Sequence, residues 1–150
     1  MPTRAALRTL AILGAGLSVY LRVIRPWQLR WGATDDEVRR TMPGDEIVTR
    51  PTFNATRAVI VDASPSTIWP WIVQIGFGKA GWYTYDLLDN FGRPSARHII
   101  PELQHLQVGD LIPMYRGIGA PEGVGMKVKA VEPEQWMLWW DDKTQDTTWV

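Results

Sequence analysis

The side chains able to do chemistry are few and cluster in the middle of the chain. Gln74, Tyr83, Tyr85 and Asp86 are the polar groups nearest the aromatic run at residues 69–71. A carboxylate such as Asp86 acts as general acid or base when burial raises its pKa, and Tyr85 beside it is the matching candidate for proton transfer. The commoner role for such an aspartate is to cap a helix or pair with an arginine. The sequence therefore assigns no catalytic residue, and the reading leans toward a binding protein rather than an enzyme. His98 and His105 are seven positions apart and would share one face of a continuous helix, but Pro101 lies between them and breaks it. They read as surface or loop residues. With no cysteine and no HExxH pair, neither thiol nor metal chemistry is expected.

Gly76-Phe77-Gly78-Lys79-Ala80-Gly81 fits the GxGxxG pattern, and Glu102 follows Gly81 by 21 positions, near the spacing of a ribose-binding acid. The surroundings argue against a nicotinamide site. A helix cap and Pro70 precede the glycines, where a central parallel strand is needed. Trp82 and Tyr83 follow the third glycine directly and would crowd a helix against a sheet. The glycines read instead as the end of one helix and the start of the next, Glu102 reads as solvated, and no cofactor is expected.

Nine of the 150 residues are tryptophan. Indoles supply large apolar area with one donor each, which suits either an aromatic core or the wall of a ligand cavity. Charge is balanced, 16 basic against 16 acidic residues, with no basic stripe, so nucleic acid is not an expected partner.

These residues must be positioned by elements that the pattern forecasts. Residues 9–21, TLAILGAGLSVYL, carry no charge and are flanked by Arg4 and Arg8 before and Arg22, Arg25 and Arg30 after. An uncleaved membrane anchor over residues 1–25 is the first reading, with Arg8 and Arg22 snorkelling to the headgroups. A cleaved signal is the second, and a buried helix the third. The larger basic excess on the C-terminal side places the following domain in the cytoplasm. A connector, 26–54, holds a short helix opened by the capping box Thr34-Asp35-Asp36-Glu37. From residue 55 a single domain is expected. Residues 55–62, ATRAVIVD, read as a strand. Ser64-Pro65 opens a helix that Pro70 kinks, and a second helix spans 82–90. Residues 95–107 read as helical turns, and 108–114 as a short strand.

A glycine-rich loop, 115–125, then leads to alternating Met126-Lys127-Val128-Lys129-Ala130, a turn at 132–135, the strand WMLWW at 136–140 and a last strand from Thr147. Short loops make these neighbours antiparallel. The last strand has nothing to cover it, and a bare apolar edge is a hazard folded proteins avoid, so a truncated chain is expected.

The stretches WGATDDEV, PGDEIV, TRAVIVDASPSTIWPWIVQIGFGKAGWYTYDLLDN and PELQHLQVGDLIP resemble a bacterial group in the START-like (SRPBCC) superfamily, which includes polyketide cyclase/dehydrase and lipid-transport proteins. The resemblance covers residues 31–150. It rests most on Trp69-Pro70-Trp71 with Gln74 and Gly76, Gly81-Trp82-Tyr83 with Tyr85-Asp86, and Val108-Gly109-Asp110. It implies an α+β helix-grip fold, here incomplete: a curved antiparallel sheet with two short helices after the first strand, without the long helix that closes the cavity. It implies a small apolar ligand (lipid, polyketide or aromatic). Trp71, Gln74, Trp82, Tyr83, Tyr85, Val128, Trp139 and Trp140 are the cavity candidates. Alternation along the strand sends Trp139 and Trp140 to opposite faces. A cyclase or dehydrase using Asp86 and Tyr85 is the alternative.

Overall fold

The computed structural model describes residues 3–115 and 124–150. It is α+β, with an N-terminal apolar helix and an open, four-stranded antiparallel sheet. The chain packs as two units: residues up to Arg40 together with Thr52–Val61, and Thr41–Pro51 together with Asp62–Val150.

In the first unit, α1 (Arg4–Val19) runs through a π turn (Tyr20–Ile24) into α2 (Arg25–Leu29). Thr3 caps it, its Oγ1 accepting from the Ala6 amide at 3.3 Å. Pro26 has no amide to return to the preceding turn, and its ring would crowd the carbonyl four residues back. The wider π turn lies just before it, where the Arg25 amide reaches the Tyr20 carbonyl five residues back. The apolar stretch Ala6–Leu29, 24 residues, is long and apolar enough by length and composition to cross a membrane. At 1.5 Å per residue it reaches about 36 Å, against roughly 30 Å of hydrocarbon. Most of its side chains are exposed and none is buried.

α3 (Asp35–Arg39) carries the expected capping box: the Glu37 amide donates to Thr34 Oγ1 at 3.3 Å, and the Thr34 amide donates to Glu37 Oε2 at 2.7 Å. The expected strand at 55–62 does not form. The backbone is extended, but its amides turn to the end of the long helix: Thr56 donates to the Leu29 carbonyl at 2.9 Å and Ala58 to the Trp31 carbonyl at 3.2 Å. Val59, Ile60 and Val61 are exposed, Ile60 at 99%. Strand propensity expresses how well a side chain fits a half-buried pleated surface, and no described strand offers this run such a surface.

In the second unit, Ser64 caps α4 (Pro65–Val73), its Oγ accepting from the Thr67 amide at 3.3 Å. The helix continues through Pro70 and ends at Gln74. The expected helix at 82–90 shrinks to α5 (Asp86–Asp89), because Tyr83 sits in the left-handed region at φ +56° and cannot belong to a helix. Residues 95–107 hold one 3-10 turn, Pro101–Leu103.

The meander follows in chain order: β1 (Leu111–Pro113), β2 (Gly125–Glu132), β3 (Trp136–Trp140) and β4 (Thr148–Trp149), each antiparallel to the next. Most of the glycine-rich loop, residues 116–123, lies outside the described residues. Register places Ile112 beside Met126, Val128 beside Trp139 and Trp139 beside Trp149, with a bulge between Val128 and Ala130. Alternation gathers Ile112, Met126, Val128, Met137 and Trp139 on one face as the core. Trp69 and Ile72 of α4 pack against that cluster, while Leu138 turns to the other face, against Gly44.

Candidate apolar groove

Pro65, Ile68, Trp69 and Ile72 follow the i, i+3, i+4, i+7 spacing that puts them on one face of α4. That face and the sheet form the walls of a groove of about 510 Å³ within the second unit. Met137 and Trp139 of β3, Trp149 of β4, Val150 and Met42 complete the apolar lining, and Glu134, Gln135 and Trp136 stand at the β2–β3 turn. The volume falls within the range of about 300–1,000 Å³ usual for small-molecule sites. Trp139 anchors the sheet wall: Trp149 stacks on it at 6.2 Å between centroids and 26° between planes, and Trp82 meets it edge-on at 6.3 Å. Trp139 Nε1 is buried without a hydrogen-bond partner among the described residues, a cost its packing must offset.

Of the eight cavity candidates read from sequence, Trp139 alone lines this groove. Trp71 lies two residues and about 200° around the helix from Trp69. It packs edge-on against the Tyr83 ring at 5.7 Å, so Trp69, not Trp71, faces the sheet. Trp82 sits behind Trp139, packed against the core. Val128 is 1% exposed and closed into the core. Trp140 points away from Trp139, with the Lys129 ammonium 3.8 Å over its ring. Tyr85, 79% exposed, precedes α5 outside the groove. Sequence reasoning missed the rest of the lining. The α4 stripe was readable from its spacing; Met42 and Trp149 arrive from remote segments and carried no signal.

Gln74, fully buried, is a structural staple rather than a cavity group. Its Nε2 donates to the Tyr83 hydroxyl and to the His98 carbonyl at 3.2 Å; its Oε1 accepts from the Ile100 amide at 2.9 Å and from Gln104 Nε2 at 3.2 Å. One side chain thus ties the end of α4 to the segment 98–104.

Asp86 does the same for the next turn. Its Oδ1 accepts from Ser95 Oγ at 2.6 Å, Asn90 Nδ2 at 2.8 Å and the Ser95 amide at 3.1 Å. Those bonds, Ser95 foremost, hold its carboxyl below the ordinary carboxylate range. A general acid needs the opposite shift, so the held carboxylate lends no support to Asp86 as a proton donor.

The GxGxxG segment closes on itself. The Gly76 and Gly81 amides exchange bonds with each other's carbonyls at 3.1 and 3.2 Å, Lys79 donates to Gly76, Ala80 to Gln74, and Phe77 to Pro113. Amides spent in this way do not cradle a phosphate. Gly81, at φ +93°, must be glycine, since a Cβ there would lie 2.6 Å from Ser95 Oγ. Half-buried Lys79 has its amine pushed down by burial, with Asp110 acting in the opposite sense.

No protein-family model matches the chain, and no curated protein or solved structure is similar to it at a meaningful level.

Proposed function

We propose that this chain is a membrane-tethered domain of the START-like, helix-grip type that binds a small apolar molecule in the groove between α4 and the sheet. The observation that carries this reading is the groove itself: about 510 Å³, walled by Ile68, Trp69 and Ile72 on one side and Met137, Trp139 and Trp149 on the other. The order of elements, a capped helix and then an antiparallel meander whose inner face meets it, supports the same reading. The lining is aliphatic and aromatic with few polar groups, which favours a lipid acyl chain, a polyketide or an aromatic ligand. The enzymatic alternative gains no support, because Asp86 and Tyr85 lie outside the lining and Asp86 is held as a carboxylate.

The exposed apolar helix, with Arg22, Arg25 and Arg30 on its C-terminal side against Arg4 and Arg8 on the other, supports a tether whose following domain is cytoplasmic. Titrating a fatty acid or a polycyclic aromatic into the full chain should shift tryptophan emission to the blue and saturate. Ile68→Ser lines the groove without belonging to the residues packed on the core, so it should weaken binding about tenfold while leaving the unfolding midpoint nearly unchanged. Binding unaffected by Ile68→Ser would sink the groove as the ligand site.

A further inference from the structure

The end of the long helix is built up by a returning segment. Residues 52–61 come back to it and are pinned at three points: Thr56 to the Leu29 carbonyl, Ala58 to the Trp31 carbonyl, and Arg57 Nε to the Gln28 carbonyl at 2.9 Å. Gly32, at φ +77°, makes the approach possible, since a Cβ there would stand 2.0 Å from the Ala58 oxygen. The docking leaves a concavity of about 330 Å³ lined by Trp27, Gln28, Trp31 and Arg57. Because Arg57 spends its Nε on Gln28, the outer edge of its guanidinium, two NH2 groups in a planar fork, is left to meet an oxyanion. Arg22, Arg25 and Arg57 form no ion pair with a described residue, whereas Arg30 is engaged by Asp35. Both indoles are more than half exposed, as are Val59, Ile60 and Val61 on the returning segment.

Charge is distributed to match. The first unit holds eight arginines against Asp35, Asp36 and Glu37, an excess of five positive charges, although the whole chain is neutral. Amphipathic indoles, unpaired arginines and bare aliphatic side chains at the end of an apolar helix are the combination that sits at a headgroup layer.

We propose that this collar is a binding site for the phosphodiester of an anionic phospholipid, seated on Arg57 between the Trp27 and Trp31 indoles. The proposal rests on the membrane reading above. An arginine near an anionic surface strengthens association about five-fold, and Arg57 should supply a preference of that order.

The test uses the full chain in neutral detergent micelles, incubated with equal amounts of phosphatidylglycerol and phosphatidylcholine, with retained lipid read by native mass spectrometry. Phosphatidylglycerol should be retained in clear preference. Arg57→Gln should abolish the preference while leaving helical circular dichroism intact, and Arg57→Lys should lose only part of it. A chain that inserts in micelles but retains both lipids equally overturns the headgroup site and leaves the tether standing. A chain that stays monodisperse without detergent and retains neither lipid overturns the tether as well. Displacement of the lipid by millimolar inorganic phosphate, or by a short DNA duplex, would reassign Arg57 to a free anion or to nucleic acid and also overturn the proposal.

Discussion

At the scale of single residues, the polar side chains that invite a catalytic reading are holding backbone in place. Gln74 uses both ends of its amide on four partners while fully buried. Gln74→Ala should therefore cost about 3 kcal/mol, read as a lower urea midpoint, because it strands the Ile100 amide and the His98 carbonyl. Asp86 has a depressed pKa caused first by the Ser95 hydrogen bond, so its contribution to stability is complete above its unfolded value of 3.8. It fades as pH falls from there through the folded pKa. Asp86→Asn should lower the melting temperature at neutral pH and flatten the loss of stability below pH 4, measured by thermal melts across pH. A bell-shaped activity profile ascribed to Asp86 near neutrality would contradict this assignment. What the sequence showed here was the cluster, not its role: Asp86 had polar neighbours either way, and only the positions of Ser95 and Asn90 distinguish a held carboxylate from a proton donor.

At the scale of elements, local signals were readable and long-range ones were not. Thr34 and Ser64 announce the starts of α3 and α4, and the alternation at 126–130 announces β2, because these signals act within a few residues. Residues 55–62 misled because a β-branched run states a preference and not a partner; its amides found the Leu29 and Trp31 carbonyls instead. Helix phase decides between Trp69 and Trp71, and it could have been settled from the 65-68-69-72 stripe. The loop between Gly76 and Gly81 gives a sharp comparison. Gly81→Ala drives a Cβ into Ser95 and should destabilise by more than about 2 kcal/mol, whereas Gly78→Ala meets open space and costs only the strain of a positive φ, about 1–2 kcal/mol. Equal costs at both positions, measured by chemical denaturation, would mean that the turn does not close as described.

The whole molecule carries two separable features, a helix suited to a bilayer and an apolar groove in the unit that contains the sheet. The first predicts that the full chain resists carbonate extraction from membranes and that its N-terminus is retained. A mature N-terminus between residues 18 and 30 would replace the anchor with a cleaved signal. The second is tested at the site of ligand contact. A fatty acid carrying a photoreactive diazirine should label the full chain on α4 at Ile68, Trp69 or Ile72 and on β3 or β4 at Met137 or Trp149, with labelling suppressed by unmodified fatty acid. Label confined to Ala6–Leu29, or spread over the surface and not suppressed by competitor, would contradict the claim, because the ligand would then be partitioning with the helix rather than occupying the groove.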